Sequence, residues 1–334
     1  MRKTLIHLLV IVATFSSISS CTKKNEKEKV WIYTSLYKDT VNDLKVKMEK
    51  EFPNIDVQIY QAGSEEVAAK VQAEALAGKI QADILISSDR FWYEDMAAKG
   101  TLLAYKPKGT EKVEEHFKNT SGFYTAVSLP VMVMAYNSEA VTSAEAPKTF
   151  AELKDPKWKD KVSSGSPLAS GTSFTTVAFL SKKYGWDYYS ALRKNNFIAE
   201  GGNSGVIRRL QSKERPVGIV LLENLLRLTE KDPRIKLIVP EDGAVMQANV
   251  LAIVKKDGEQ LASKKIADWM FAKVGQETMV QSFMYATMPG FAAPKGAPAL
   301  NELLKNAQPW SQEFISEVMQ SREKIKDQFS KIVF

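Results

Sequence analysis

The sequence predicts an α/β fold built from two successive strand-and-helix series. Three observations carry this. The first hundred residues alternate strand, helix, strand, helix, strand, helix. A second alternation starts in the Ser/Thr/Gly-rich stretch of residues 163–176 and runs on to an extended segment at 250–254. The strand ends of both series are rich in serine, threonine and glycine rather than in acids or histidines. Strands alternating with helices argue for sheets covered by helices on their faces. A chain of 334 residues, 44% of them hydrophobic, is long enough for two cores.

Val-Trp-Ile-Tyr-Thr at residues 30–34 is β-branched and aromatic, the composition of a buried strand. The next helix carries Val41, Leu44, Val46, Met48 and Phe52 and stops at Pro53-Asn54. Ile55, Val57 and Ile59 alternate and form the second strand. Ser64 is placed to cap a helix that runs to Gly78. Residues 82–86 are a third strand, and residues 91–99 a helix closed by Gly100. Residues 122–130 and 131–137 read as two extended segments. In the second series, residues 187–193 and 206–212 are helical, 217–222 and 235–239 are strands, and 250–254 is extended. Beyond it, helices are expected at 260–273, 276–285 and 309–325.

Composition removes several chemistries. The chain has two histidines, His7 and His116, and one cysteine, Cys21. A Ser-His-Asp arrangement has one candidate base without a motif around it, and a histidine-rich metal site cannot be built. No dense acidic cluster suits a two-metal hydrolase. No enzyme, cofactor or metal centre is therefore expected. The formal charge is +7, with basic and acidic residues interspersed, which argues for solubility and mild anion attraction rather than nucleic-acid binding.

The N-terminus has a basic start, an apolar run over residues 5–15 and small residues before Cys21. This is the pattern of a signal peptide, residues 1–20, and the run is too short to span a bilayer. Ile-Ser-Ser-Cys at 18–21 resembles the lipobox of bacterial lipoproteins, which implies lipidation of Cys21. Residues 21–29, nearly all polar or charged, read as a tether.

The candidate binding chemistry lies at the strand ends. In open α/β sheets, ligands sit beyond the carboxyl ends of the strands. Ser35, Tyr37, Ser87 and Ser88 lie there in the first series. In the second, Ser170, Gly171, Thr172 and Ser173 precede an apolar run, and Asn203, Ser204 and Gly205 follow Gly201-Gly202. Unpaired N–H groups at a helix start attract anions, and glycine permits close approach. The same residues are also what an ordinary helix cap requires, and both readings stand at this level. Glu223, at the end of the 217–222 strand, is either a cleft carboxylate for hydroxyl or ammonium groups or a surface acid. Arg208 and Arg209 read as helix-surface cations.

The order of these segments resembles the extracellular solute-binding proteins of bacterial ABC importers, in the group of ferric-ion, phosphonate and sugar-phosphate binders. Val-Trp-Ile-Tyr-Thr-Ser at 30–35, Ala-Asp-Ile-Leu-Ile at 82–86 and Val-Met-Val-Met-Ala-Tyr-Asn at 131–137 carry the resemblance. So do Pro-Lys-Thr-Phe-Ala-Glu-Leu at 147–153, Asp-Pro-Lys-Trp-Lys-Asp-Lys-Val at 155–162 and Pro-Glu-Asp-Gly at 240–243. It implies a two-lobe periplasmic-binding-protein-like fold, each lobe a mixed sheet flanked by helices, with two hinge crossings. Lobe 1 would hold residues 30–134 and 250–334, and lobe 2 residues 135–249. The crossings would lie near residues 134–137 and 248–254. The implied role is a monomeric, lipid-anchored receptor on the outer face of the cytoplasmic membrane or in the periplasm. It would close on a small anionic solute, a phosphonate or sugar phosphate, and deliver it to an ABC permease. Reporting to a membrane sensor kinase is the alternative use of the same fold. The ferric binders of the group carry adjacent tyrosines after the strand equivalent to 217–222. Here that segment reads Leu-Leu-Glu-Asn-Leu-Leu at 221–226, which disfavours iron, and Tyr188-Tyr189 in another segment reads as packing.

Overall fold

The computed structural model describes residues 27–307 and 309–334. The signal peptide, Cys21 and most of the tether lie outside the described residues. In chain order the elements are β1 (Glu28–Thr34), α1 (Lys38–Glu51), β2 (Ile55–Gln61), α2 (Ser64–Leu76), β3 (Ile84–Ser87), α3 (Arg90–Ala98), β4 (Thr125–Leu129) and β5 (Val131–Asn137). Then follow β6 (Val162–Ser164), α4 (Gly171–Tyr184), α5 (Trp186–Lys194), β7 (Ile198–Ala199), α6 (Asn203–Ser212), β8 (Val217–Leu221), α7 (Leu222–Thr229), β9 (Ile235–Ile238) and β10 (Val245–Met246). The chain ends with β11 (Asn249–Ile253), α8 (Leu261–Phe271), α9 (Lys273–Gln281), β12 (Tyr285–Ala286), α10 (Leu300–Leu304) and α11 (Gln312–Val333).

Two six-stranded sheets result. The first has the order β12-β4-β11-β3-β1-β2. β1 runs parallel to β2 and β3, while β11 is antiparallel to β3 and β4, so the sheet is mixed. The second has the order β10-β5-β8-β6-β7, with β9 also paired to β5. Here β6 is parallel to β7 and β8, and β5 is antiparallel to β8. Central strands are apolar throughout because helices cover both faces: Ile84 and Leu85 of β3 are fully buried, as are Val217 and Val220 of β8. Each sheet with its helices is one lobe of the two-lobe fold.

The lobe boundaries differ from the expected ones. β5 belongs wholly to the second sheet, so the chain leaves the first sheet at Pro130, not within residues 134–137. Proline has no N–H to donate to a ladder, which ends β4 there. The return falls at Gln247-Ala248, and the two crossings touch where the Gln247 N–H donates to the Pro130 carbonyl at 2.8 Å. The tether also ends earlier than expected, since Glu28 and Lys29 are already paired in β1.

Residues 300–334 do not stay with lobe 1 alone. Phe314 at the start of α11 stacks on Phe179 of α4 with ring centres 4.1 Å apart, and Phe329 meets Tyr189 of α5 edge-on at 5.1 Å. On its other side α11 sends Arg322 to Glu65 at 2.7 Å and to Asp89, and Lys326 to Glu65 at 2.7 Å. Helix α11 therefore bridges both lobes. Tyr188 and Tyr189 are core residues, each 2% exposed, with the Tyr188 hydroxyl donating to the Phe150 carbonyl.

Candidate functional site

Five helices begin at one place. The N-cap residues of α1, α2, α4, α6 and α7 are Tyr37, Gly63, Ser170, Gly202 and Leu221. All five line a single cavity of about 160 Å³ between the lobes. The first N–H groups of a helix have no acceptor within it, and the helix dipole makes that end positive. The cavity is thus ringed by positive helix ends contributed by both lobes. The local cause is visible in the sequence: in all five places, a strand or loop end passes straight into a helix.

Eight of the twelve expected residues line this cavity: Ser35, Tyr37, Ser88, Ser170, Thr172, Asn203, Ser204 and Glu223. Four do not. Ser87 is fully buried, with its hydroxyl donating to Tyr93 OH at 3.2 Å, because it is the last residue of a strand covered on both faces. Ser173 lies one residue too far into α4; its N–H is capped by Ser170 Oγ at 3.4 Å and its side chain faces Gly165. Gly205 is also inside its helix, since α6 starts at Asn203 rather than at Val206. Gly171 is the first residue of α4, and its N–H is already used by Ser64 Oγ at 2.7 Å.

Ser64 was expected to cap α2. Gly63 holds that position instead, and the Ser64 hydroxyl reaches across the cleft to the start of α4. Further lining residues that sequence reasoning missed include Gln61, Asn249 and Met284. Asn249 and Met284 belong to segments distant in sequence, joined where the Asn249 amide donates to Ser128 Oγ at 3.0 Å and to Met284 Sδ at 3.3 Å. The missing helix α7 was detectable: Leu222, Leu225 and Leu226 have helical spacing, but they follow the apolar strand 217–221 without a break.

The hydroxyls and amides of the second lobe are tied together. Ser170 Oγ and Thr172 Oγ1 are 2.9 Å apart, and Asn203 Nδ2 donates to Thr172 Oγ1 at 3.2 Å. Asn203 Oδ1 accepts from the Leu221 N–H at 3.2 Å. One side chain thereby fixes the starts of α4, α6 and α7 relative to each other. Arg209 is committed elsewhere, to the Glu200 carbonyl and carboxylate, and Arg208 is exposed.

Glu223 sits in the first turn of α7, 3% exposed. Burial pushes its carboxyl up to about 7, against the opposing pull of its own N–H and of Arg227. Tyr37 faces it from the other lobe; burial and the Glu223 charge raise its hydroxyl well above the usual tyrosine range. Arg227, one turn after Glu223, is engaged with the first lobe. It lies 5.6 Å from the Tyr37 ring centre and 5.5 Å from that of Phe283, and donates to Thr40 Oγ1 at 2.9 Å and the Ser282 carbonyl at 2.8 Å. Among the described residues no cluster of three or more His, Cys, Asp or Glu could hold a metal.

Two lobes closing on a cavity ringed by helix ends define a receptor that binds a solute without transforming it. The sequence model of the bacterial extracellular solute-binding protein family matches residues 79–315, and the chain belongs to that family: it is a periplasmic-type solute-binding protein of an ABC importer, not an enzyme. Among its relatives, iron uptake protein A1 of Synechocystis is 23% identical over 83% of this chain and 81% of its own length. Among solved structures, the periplasmic binding protein AfuA from Actinobacillus pleuropneumoniae, with fructose-6-phosphate bound, superposes with a TM-score of 0.81 at 21% identity, covering 92% of this chain and 99% of that one. Iron-bound HitA from Pseudomonas aeruginosa gives 0.79 at 18% identity, over 92% and 100%. At these identities the structural likeness establishes the fold.

Proposed function

We propose that the chain is a lipid-anchored, monomeric receptor whose cavity takes a small anionic solute with a tetrahedral head group, of the phosphonate or sugar-phosphate class. The observation that carries this is the convergence of five helix N-termini on a cavity without a lysine or arginine in its lining. Backbone N–H groups and hydroxyls can hold a phosphate with no cationic side chain. Bonds from such donors to an anion are about twice as strong as neutral ones. The bound fructose-6-phosphate of AfuA supports the same class. At the far end, Glu223 would accept hydrogen bonds from hydroxyl or ammonium groups. The anchor would be the lipidated Cys21, holding the receptor beside its permease on the outer face of the cytoplasmic membrane or in the periplasm.

A second reading, a ferric-ion receptor, is supported by the names of iron uptake protein A1 and iron-bound HitA. Against it, the hard anionic oxygens available in the cavity are those of Glu223 and Tyr37, and burial keeps the Tyr37 phenol protonated. A thermal-shift screen separates the two. Phosphate esters and phosphonates should raise the melting temperature, since a ligand at about a hundred times its Kd adds close to 3 kcal/mol. Stabilisation by Fe(III)-citrate alone would overturn the anion reading in favour of iron.

A further inference from the structure

We infer that Arg227 is a latch: carried by the second lobe, it holds the first lobe in the closed arrangement without any contribution from the solute, and so sets the balance between closed and open receptor. The inference does not depend on which solute the cavity takes. Its ground is where the side chain finds partners. Arg227 belongs to α7, which continues β8 of the second sheet. Among the described residues, every hydrogen bond of its guanidinium goes to the first lobe. Nη2 donates to Thr40 Oγ1 of α1 at 2.9 Å and to the Ser282 carbonyl at the end of α9 at 2.8 Å. The two rings beside it are those of Tyr37 and Phe283, also from first-lobe segments. The acid facing it, Asp39 of α1, is 3.9 Å away and 87% exposed, so it adds little.

The receiving site suits a cation. Ser282 caps the C-terminus of α9, where the last carbonyls lack partners within the helix and the dipole is negative. Phe283 follows in the left-handed conformation, φ 66°, a position at helix ends usually held by glycine. That conformation is strained for a bulky residue, and here it accompanies a ring set 5.5 Å from the guanidinium. The Arg227 side chain is 24% exposed, so these contacts are largely shielded from water and outweigh an exposed ion pair. Lys295 and Glu230, at the end of α7, form such an exposed pair at 2.8 Å. When the lobes part, water takes over the donors of Arg227, and the open form loses only what the first lobe had supplied. The Nε is buried without a partner, a cost borne by the closed form alone, so the latch can release.

The test measures the distance between the lobes in the chain of residues 27–334, which holds both lobes and no cysteine. Ala73→Cys on α2 and Arg208→Cys on α6, both at exposed positions, carry spin labels for pulsed dipolar spectroscopy without added solute. A closed population, at the separation these positions have in the closed structure, is expected beside an open one. Adding Arg227→Ala should lower the closed-to-open ratio at least about tenfold. Arg227→Lys keeps the charge but not the planar fork, and its ratio should fall between the two. Lys295→Ala removes an exposed pair and should change the ratio by less than about twofold. A residue that only packs α7 would instead lower the urea unfolding midpoint in Arg227→Ala and leave the ratio as in the wild type. That result, or a wild type without a closed population, would overturn the latch. The wild-type distribution requires no latch variant to fold.

Discussion

The N–H of Gly171 donates to Ser64 Oγ at 2.7 Å, and the two residues belong to opposite lobes. The first N–H of α4, an orphan in any isolated helix, is thus capped by the other half of the molecule. The cap exists when the lobes are closed. A Cβ on Gly171 would lie 3.0 Å from both Ser64 Oγ and Asp89 Cβ, so the lobes meet here with backbone against side chain.

Ser64→Ala removes the cap and leaves the Gly171 N–H buried without a partner, at a cost of about 1–2 kcal/mol to the closed form. The open form does not carry that cost. Affinity for the solute is therefore expected to fall about tenfold, with the ligand-free melting temperature little changed. Titration calorimetry and thermal melting on the same sample check both halves of this statement.

Gly171→Ala should act through shape rather than through a lost bond. The added methyl opposes closure, while alanine at the first position of α4 is no worse for the helix than glycine. The variant is expected to be at least as stable as the wild type without solute yet to bind more weakly, with small-angle scattering showing a more open average form. A variant that binds normally would mean that the lobe contact relaxes at little cost.

Asn203→Ala and Ser204→Ala distinguish a tie from a contact. Asn203 joins the starts of α4, α6 and α7, so its loss should lower unfolding stability by about 2 kcal/mol as well as affinity. Ser204 is exposed to the cavity mouth in the first turn of α6, and its replacement should change stability by less than about 0.5 kcal/mol while still weakening binding. Urea titrations with and without solute measure the two effects.

Arg322→Ala tests the bridge made by α11. Asp89 is 1% exposed, so removal of the guanidinium strands its buried carboxylate beside the lobe contact. Lys326 still reaches Glu65, but Asp89 is left with the Trp92 N–H that it caps. A stability loss of about 3 kcal/mol is expected from a broken buried pair. Unfolding midpoints at low and high salt check it: the difference between wild type and variant should persist as salt rises, because a buried pair is screened only weakly.

Stability should also fall with rising pH on account of Glu223. Burial raises its folded-state carboxyl from 4.5 to about 7, so between those values the folded chain holds a proton that the unfolded chain has released. The contribution is complete below pH 4.5 and is lost as pH rises through 7, amounting to at most about 3 kcal/mol. Tyr37 from α1 and Arg227 from α7 are the charged or titratable groups facing it. Glu223→Gln should flatten the ligand-free stability profile between pH 5 and pH 8, and an unchanged slope would remove Glu223 as its cause.

Much of the fold was legible in the residues. The apolar runs of β1, β3 and β8 and the helix stops at Pro53 and Gly100 lie where composition put them, because local periodicity and backbone punctuation act over a few residues. Helix α7 was hidden because an apolar strand and an apolar helix share one uninterrupted run. Ser87 and Ser88 show the limit within the site. They are adjacent and chemically identical, yet one is spent on Tyr93 inside the first lobe and the other lines the cavity. Ser87 is the last residue of β3, held by its pairing with Val250 of β11, whereas Ser88 lies one residue beyond the strand, and only the tertiary pairing fixes where β3 ends.

The sequence by itself determined the two α/β series, the family, and the abundance of hydroxyl and N–H donors at the strand ends. Tertiary structure alone decided which donors converge. Ser64 became a clasp across the cleft instead of a cap, α11 became a bridge between the lobes, and Glu223 came to be the acid enclosed with five helix ends. The physical reason is range. Propensity and capping are settled within a few residues of chain, whereas burial, charge and helix-end convergence depend on neighbours more than a hundred residues away.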